Sequence, residues 1–165
     1  MDETIYESPI GKLLIVTGSM GLAEISFADS LEQELGGSEV ATAFSDECRR
    51  QLDDYFAGRR QAFDLRIDLK GTVFQLSVWR ALLAIPYGAT WSYGELAARV
   101  GKPKASRAVG GANHRNPVSI VVPCHRVIGS DGGLTGYGGG LWRKEWLIAH
   151  ERKISQRYVD RLPLF

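Results

Sequence analysis

Cys124 stands in the run Pro123-Cys124-His125-Arg126-Val127, where a thiol is flanked by an imidazole and a guanidinium. Cysteine attacks as thiolate, so a reactive one needs a neighbouring base or cation and access to solvent. The basic flanks and the glycine-rich stretch 129–140 behind it answer both needs. Neighbouring side chains on an extended backbone point to opposite faces, so His125 need not touch the sulfur and a water can carry the contact. A structural cysteine closing a strand is the competing reading, weakened by those flanks. Cys48 recurs at helical spacing with Phe44, Leu52, Tyr55 and Phe56, which makes it a small buried hydrophobe. With the two cysteines in segments so unlike, no disulfide framework is expected. Cys124 with His114, His125 and His150 lacks the paired short spacing of a structural zinc site, so no metal is expected.

The surroundings of that nucleophile are strongly basic. The net charge of +1 hides a gradient: residues 1–56 hold twelve acids against three bases, whereas the remainder holds seven acids against seventeen bases. Residues 96–130 contain no Asp or Glu but carry Arg99, Lys102, Lys104, Arg107, Arg115 and Arg126. A solvated face is the plain reading, and a polyanion partner the favoured one, because six like charges lack a counter-ion in an otherwise neutral chain. The hydrophobic fraction of 44% suits a packed core. No run spans a membrane and the start Met1-Asp2-Glu3 is acidic where a secretory signal is basic, so a cytoplasmic location is expected.

The elements that must position these residues read in two parts. Strands are expected over residues 4–7, 12–17 and 22–27, joined by short turns into a meander. A polar stretch ends near Gly36-Gly37-Ser38, and a helix follows with Ser45 as its N-cap and Gly58 past its end. Phe63, Leu65, Ile67 and Leu69 alternate with polar residues as a half-buried strand does. Gly71 is the expected boundary, giving domains 1–70 and 71–165. The second begins with a helix bearing Phe74, Val78, Trp79, Leu82 and Ile85, stopped at Pro86-Tyr87-Gly88. A helix over 92–100, a Gly101-Lys102-Pro103 turn and a second helix over 104–113 give the outline of a helix-turn-helix. That outline is weak by itself, since any pair of short helices shares it. Its second helix would carry Lys104 and Arg107 among small residues, with Arg115 beyond. Residues 118–122 read as a short apolar strand ending at Cys124, and residues 141–151 as a last helix with Leu141, Trp146 and Leu147 inward and Glu145 outward. Residues 152–165 carry no functional signal.

The blocks Phe74-Gln75-x-x-Val78-Trp79, Ile85-Pro86-x-Gly88, Ser92-Tyr93-Gly94-x-Leu96-Ala97, Arg107-Ala108-Val109-Gly110-x-Ala112, Asn116-Pro117, Pro123-Cys124-His125-Arg126-Val127-Ile128 and Gly139-Gly140-Leu141 follow one another in order. The chain thereby resembles the O6-alkylguanine-DNA alkyltransferases, also called methylated-DNA–protein-cysteine methyltransferases, almost continuously over residues 74–151. The resemblance implies an α+β fold, with an N-terminal ribonuclease H-like α/β cap on a small antiparallel sheet and a C-terminal helical domain holding the helix-turn-helix. It implies direct-reversal repair in which Cys124 takes the alkyl group from O6-alkylguanine, once and irreversibly, after the nucleotide is flipped out. The relay of thiol, water, histidine and glutamate then falls on His125 and Glu151, and Tyr93 is the proton donor to the departing guanine. Arg107 fills the stack, while Lys104, Arg115, Ser92, Ala105 and Gly110 belong to the DNA-binding surface, which enters the minor groove of double-stranded DNA. Tyr137, Gly138, Val127 and Asn116 surround the base, the carbonyls of Cys124 and Val127 accepting from its amine and Asn116 tying the DNA-binding helix to the cysteine segment. Gly138 stands where relatives carry a small residue. The resemblance also implies no cofactor and a monomer in the absence of DNA; O4-alkylthymine stays open as a substrate.

Three other readings remain at this point. A lesion binder of the alkyltransferase-like kind lacks the acceptor cysteine, a thiol hydrolase using Cys124, His125 and Glu151 would turn over, and a helix-turn-helix regulator would bind one DNA sequence.

Overall fold

A computed structural model describes residues 1–29 and 41–163. The polar stretch ending near Gly36-Gly37-Ser38 lies outside the described residues. The chain forms two compact units, Met1–Gly71 with Pro117–Val121, and Thr72–Asn116 with Val122–Phe165.

In the first unit, β1 (Asp2–Ser8), β2 (Gly11–Gly18) and β3 (Gly21–Phe27) form an antiparallel meander in the order β1-β2-β3. Its tight connections follow from Gly11 and Gly21, both at positive φ. Helix α1 (Ala43–Phe56) buries Cys48, Leu52 and Tyr55 at helical spacing. Its N-cap is Thr42, and Ser45 is the reciprocal partner of a capping box three residues on, which corrects the expected cap.

The expected strand over 63–69 is reduced to a single parallel bridge, Leu22↔Ile67. The backbone of Asp64 instead exchanges hydrogen bonds with the Gln51 side chain of α1, at 2.8 and 2.9 Å. A side-chain amide offers one donor and one acceptor where a strand would offer a row, so the ladder does not propagate. The expected strand over 118–122 fails likewise. Val118 bridges Ile25, but Ile120 has φ +73°, the one positive φ outside glycine among the described residues, and the chain turns there. A β-branched residue in that region is strained. Both short segments cover the β3 edge that would otherwise present unpaired groups.

In the second unit, α2 (Val73–Leu82) starts at a Thr72/Gln75 capping box and α3 (Tyr93–Arg99) at a Ser92/Glu95 box. Each cap of this kind contributes about 1 kcal/mol. Helix α2 ends at Leu82, one turn before the Pro86 stop. The turn after α3 uses Gly101 at φ +76°. Helix α4 (Ser106–His114) starts later than expected, so Lys104 and Ala105 precede it, Ala105 as an N-cap without a side-chain bond. The indole N–H of Trp79 donates to the Ala112 carbonyl at 2.8 Å and fixes α4 against α2.

Pro123 is followed by a 3-10 turn, Cys124–Arg126, where an extended backbone was expected, and then by β5 (Val127–Ile128), parallel to β4 (Trp91–Ser92). Helix α5 runs over Leu141–Asp160, nine residues past the expected end at Glu151. Its buried face is Arg143, Lys144, Leu147, Ile148, Glu151 and Ile154, while Leu141, expected inside, is exposed. Gly140 has φ +94° and turns the chain into that helix. The mixed architecture agrees with the α+β class.

Candidate active site

Site geometry follows from three elements of the second unit: the 3-10 turn presents Cys124 and His125, α5 presents Lys144 and Glu151 two turns apart on one face, and α4 presents Asn113. Residues seven apart on a helix share a face, so one amphipathic pattern places both charges inward.

Glu151 is 1% exposed and accepts from the Gly88 N–H at 3.4 Å as well as from two side chains. The Nε2 atom of His125 lies 2.7 Å from Glu151 Oε1, and Arg126 donates through Nε to Oε2 at 2.8 Å and through Nη2 to Oε1 at 2.9 Å. The third Arg126 bond goes to the Ile85 carbonyl at 2.8 Å. Burial pushes the Glu151 carboxyl up, but His125 and Arg126 together hold it well below the usual carboxylate range. An ionised Glu151 only accepts, so it fixes the imidazole proton on Nε2 and leaves Nδ1 as the basic nitrogen. That Nδ1 is buried with no hydrogen-bond partner. His125 therefore does not touch the sulfur directly.

Cys124 is 5% exposed, where an accessible thiol was expected. Burial raises its pKa, opposed by a hydrogen bond from Asn116, by the charge of Lys144, and by the backbone N–H groups of Cys124 and His125. Asn116 also donates to the Val122 carbonyl at 2.8 Å, bracing the chain just before the nucleophile. The resting sulfur is thus a protonated thiol amid groups that favour its anion, a combination that awaits a base.

Lys144, which sequence reasoning missed, is fully buried. Its Nζ donates to the Thr135 carbonyl at 2.8 Å and lies 5.7 Å from the Tyr93 ring centre. Burial pulls its pKa down to about 8, partly offset by Cys124. The available signal was periodicity: a lysine seven residues before Glu151 on the stripe Leu147, Ile148, Ile154.

The Tyr93 hydroxyl donates to the same Thr135 carbonyl at 3.1 Å. Tyr93, Ser106, Arg107, Gly110, His114, Thr135 and Gly136 line an open cleft of about 360 Å³. A Cβ on Gly110 would lie 3.6 Å from the Tyr93 ring, an ordinary van der Waals contact, so α4 passes close beside Tyr93 here. The structure therefore brings Tyr93, Arg107 and Gly110 together, and adds His114, Ser106, Thr135 and Gly136. Ser92 caps α3, exposed Lys104 lies in the turn, and exposed Arg115 caps α4 at its C-terminus. Tyr137 and Val127 are buried, and Gly138 is exposed with room for a Cβ, whose nearest neighbour would be His114 at 3.9 Å. The Cys124 carbonyl accepts from the Val127 N–H and from Asn113 Nδ2 at 3.2 Å. Among the described residues no three His, Cys, Asp or Glu side chains form a metal-binding group.

The sequence and the fold that build this arrangement both have relatives among known proteins. The model of the 6-O-methylguanine DNA methyltransferase DNA-binding domain matches residues 73–153, and that of the family's ribonuclease-like domain matches residues 1–69. The chain belongs to the 6-O-methylguanine DNA methyltransferase family. The methylated-DNA–protein-cysteine methyltransferase of Methanosarcina acetivorans is 51% identical over 149 residues, 89% of this chain and 96% of that relative. The protein of the same name from Mycolicibacterium paratuberculosis is 50% identical over 151 residues, 90% and 91% of the two chains. The crystal structure of Mycobacterium tuberculosis OGT in complex with DNA superposes with a TM-score of 0.85 at 45% identity, covering 93% of this chain and 94% of that one.

Proposed function

We propose that this chain repairs DNA by direct reversal, transferring the alkyl group of O6-alkylguanine to the sulfur of Cys124. One observation carries the reading: the buried Cys124 sulfur accepts from Asn116 beside a His125 imidazole that Glu151 holds through Nε2, leaving Nδ1 buried without a partner. His125 Nδ1 takes the thiol proton through a water, and the sulfur attacks the alkyl carbon. The S–C bond forms as the C–O6 bond breaks, its electron pair passes to the purine, and the Tyr93 hydroxyl supplies the proton that leaves a neutral guanine. A thioether to saturated carbon has no good leaving group and no carbonyl for water to attack, so each molecule reacts once.

A base within the duplex hides its O6 atom, so the target nucleotide must leave the stack. Exposed Arg107 on α4 fills the space left behind. Lys104, Arg115, Ser92, Ala105 and Gly110 lie against the backbone, the small residues of α4 suiting entry into the minor groove. Tyr137, Gly138, Val127 and Asn116 surround the extruded base. Residues 71–165 form the domain that binds DNA and accepts the alkyl group, and residues 1–70 its α/β cap. We place the protein in the cytoplasm as a monomer until it meets DNA. No helix of the described residues is long and apolar enough to cross a membrane.

Incubation with a duplex containing O6-methylguanine, followed by mass analysis of the Cys124 peptide, tests the reading. One added methylene per protein molecule is expected, and none in Cys124→Ser, which should keep its affinity for the methylated duplex. Turnover beyond one equivalent, or methyl transfer by Cys124→Ser, would exclude the mechanism.

A further inference from the structure

Gly138, Gly139 and Gly140 follow one another directly after Tyr137, and four of the six residues 135–140 are glycine. Glycine loses more conformational freedom on ordering than any other residue, so such a segment keeps one shape only where something holds it. Part of the hold is internal. The Gly140 N–H donates to the Tyr137 carbonyl at 2.9 Å and closes a four-residue turn. The rest comes from two successive residues of α5. Lys144 Nζ donates to the Thr135 carbonyl at 2.8 Å at one end of the segment, and Arg143 Nη1 donates to the Gly139 carbonyl at 2.9 Å at the other.

Arg143 is 4% exposed. A buried guanidinium is costly unless its donors are used, and a charged donor makes the stronger kind of hydrogen bond. The guanidinium lies over the Trp142 ring, 4.7 Å from its centre. Trp142 is 56% exposed, so its place is not in the core. A Cβ on Gly140 would lie 3.4 Å from the indole, which therefore packs on the end of the turn as well as on Arg143.

Thr135 and Gly136 line the cleft beside Tyr93 and Arg107, and the Tyr137–Gly140 turn follows them directly. The next step rests on the reading that an O6-alkylated base enters that cleft and reaches Cys124. A turn that must order itself around the base subtracts the cost of ordering from the binding, whereas a turn held in advance does not. We propose that Arg143 is a positioning residue that keeps the Tyr137–Gly140 turn in its base-receiving shape, with Trp142 steadying the guanidinium. Arg143 acts through the turn, while the charge of Lys144 also favours the Cys124 thiolate.

The test measures single-turnover methyl transfer by the full chain and by Arg143→Leu, from a duplex carrying O6-methylguanine and from the free base O6-methylguanine. The rate should fall about tenfold on both substrates, the scale of one hydrogen bond from a charged donor. Trp142→Ala, a change at the surface that keeps the test open if the leucine variant folds poorly, should slow both about threefold, the scale of an exposed cation–π contact. Each variant should still accept one methyl per molecule and bind unmodified duplex as the parent does. Iodoacetamide, too small to need the turn, should alkylate Cys124 at the parent's rate. A variant that accepts less than one methyl per molecule, but at the parent's rate, has merely lost folded protein and overturns the inference. Slowing on the duplex alone would place Arg143 against DNA, and a parallel fall with iodoacetamide would place it at the sulfur; either overturns it. So does the parent's rate in both variants. Absence of methyl on Cys124 of the parent defeats the underlying reading instead.

Discussion

A lysine buried beside a thiol costs stability for the sake of the anion it attends. The Lys144 pKa, lowered from 10.5 to about 8 by burial, means that folding disfavours the ammonium. Between those values the unfolded chain binds more protons, so stability rises as pH climbs through that window, and the penalty is full below about pH 8. Lys144→Met should therefore be the more stable protein at pH 7, by ~1 kcal/mol after allowing for screening and the lost Thr135 hydrogen bond. The advantage should vanish near pH 10.5. Urea midpoints for both proteins at pH 7 and pH 10 check the sign, and a parent that is the more stable at pH 7 would refute it. The same variant should transfer methyl about tenfold more slowly at pH 7, because it loses the charge that opposes the burial of the Cys124 thiolate. Cys124 was legible in the sequence because its flanks are chemically distinctive. Lys144 and Asn113 were not, because what marks them is burial, and burial depends on partners remote in sequence.

At the scale of elements, the meander and the starts of α2 and α3 were legible because their causes are local: glycine turns, and capping boxes that close within four residues. The misread segments have tertiary causes. Residues 63–69 alternate as a strand does, yet the Gln51 amide takes the place of a neighbouring strand. In α5 the inward stripe runs through Lys144 and Glu151, and a reading anchored on Leu141 points the helix about a quarter-turn wrong. Helix α4 supplies the prediction at this scale, because it carries Arg107 exposed to the cleft and Asn113 buried against Cys124. Arg107→Ala should slow repair of duplex DNA at least tenfold yet leave the slow reaction with free O6-alkylguanine base unchanged, since a free base needs no extrusion. Tyr93→Phe should slow both. Rates of both variants on both substrates decide the roles, and equal slowing of the two reactions by Arg107→Ala would reassign that arginine to the pocket.

The molecule as a whole is nearly neutral, but its charge is segregated along the chain, and residues 96–130 hold no acid. Neutralised phosphates release counterions, so affinity for duplex DNA should fall steeply as salt rises. Replacing exposed Lys104 or Arg115 with Ala should reduce the slope of log affinity against log salt by roughly one each. Titrations at several salt concentrations measure it, and a slope unchanged by either substitution would return the stretch to an ordinary solvated face. The shielding of Cys124 has a consequence for a protein spent by a single event. Molecules made before any lesion exists must wait among peroxides and electrophiles that consume exposed thiolates. A sulfur that burial keeps protonated is a poor target for them. The inventory of usable molecules then declines through lesions met and little else, so the count of intact thiols doubles as a record of damage already undone.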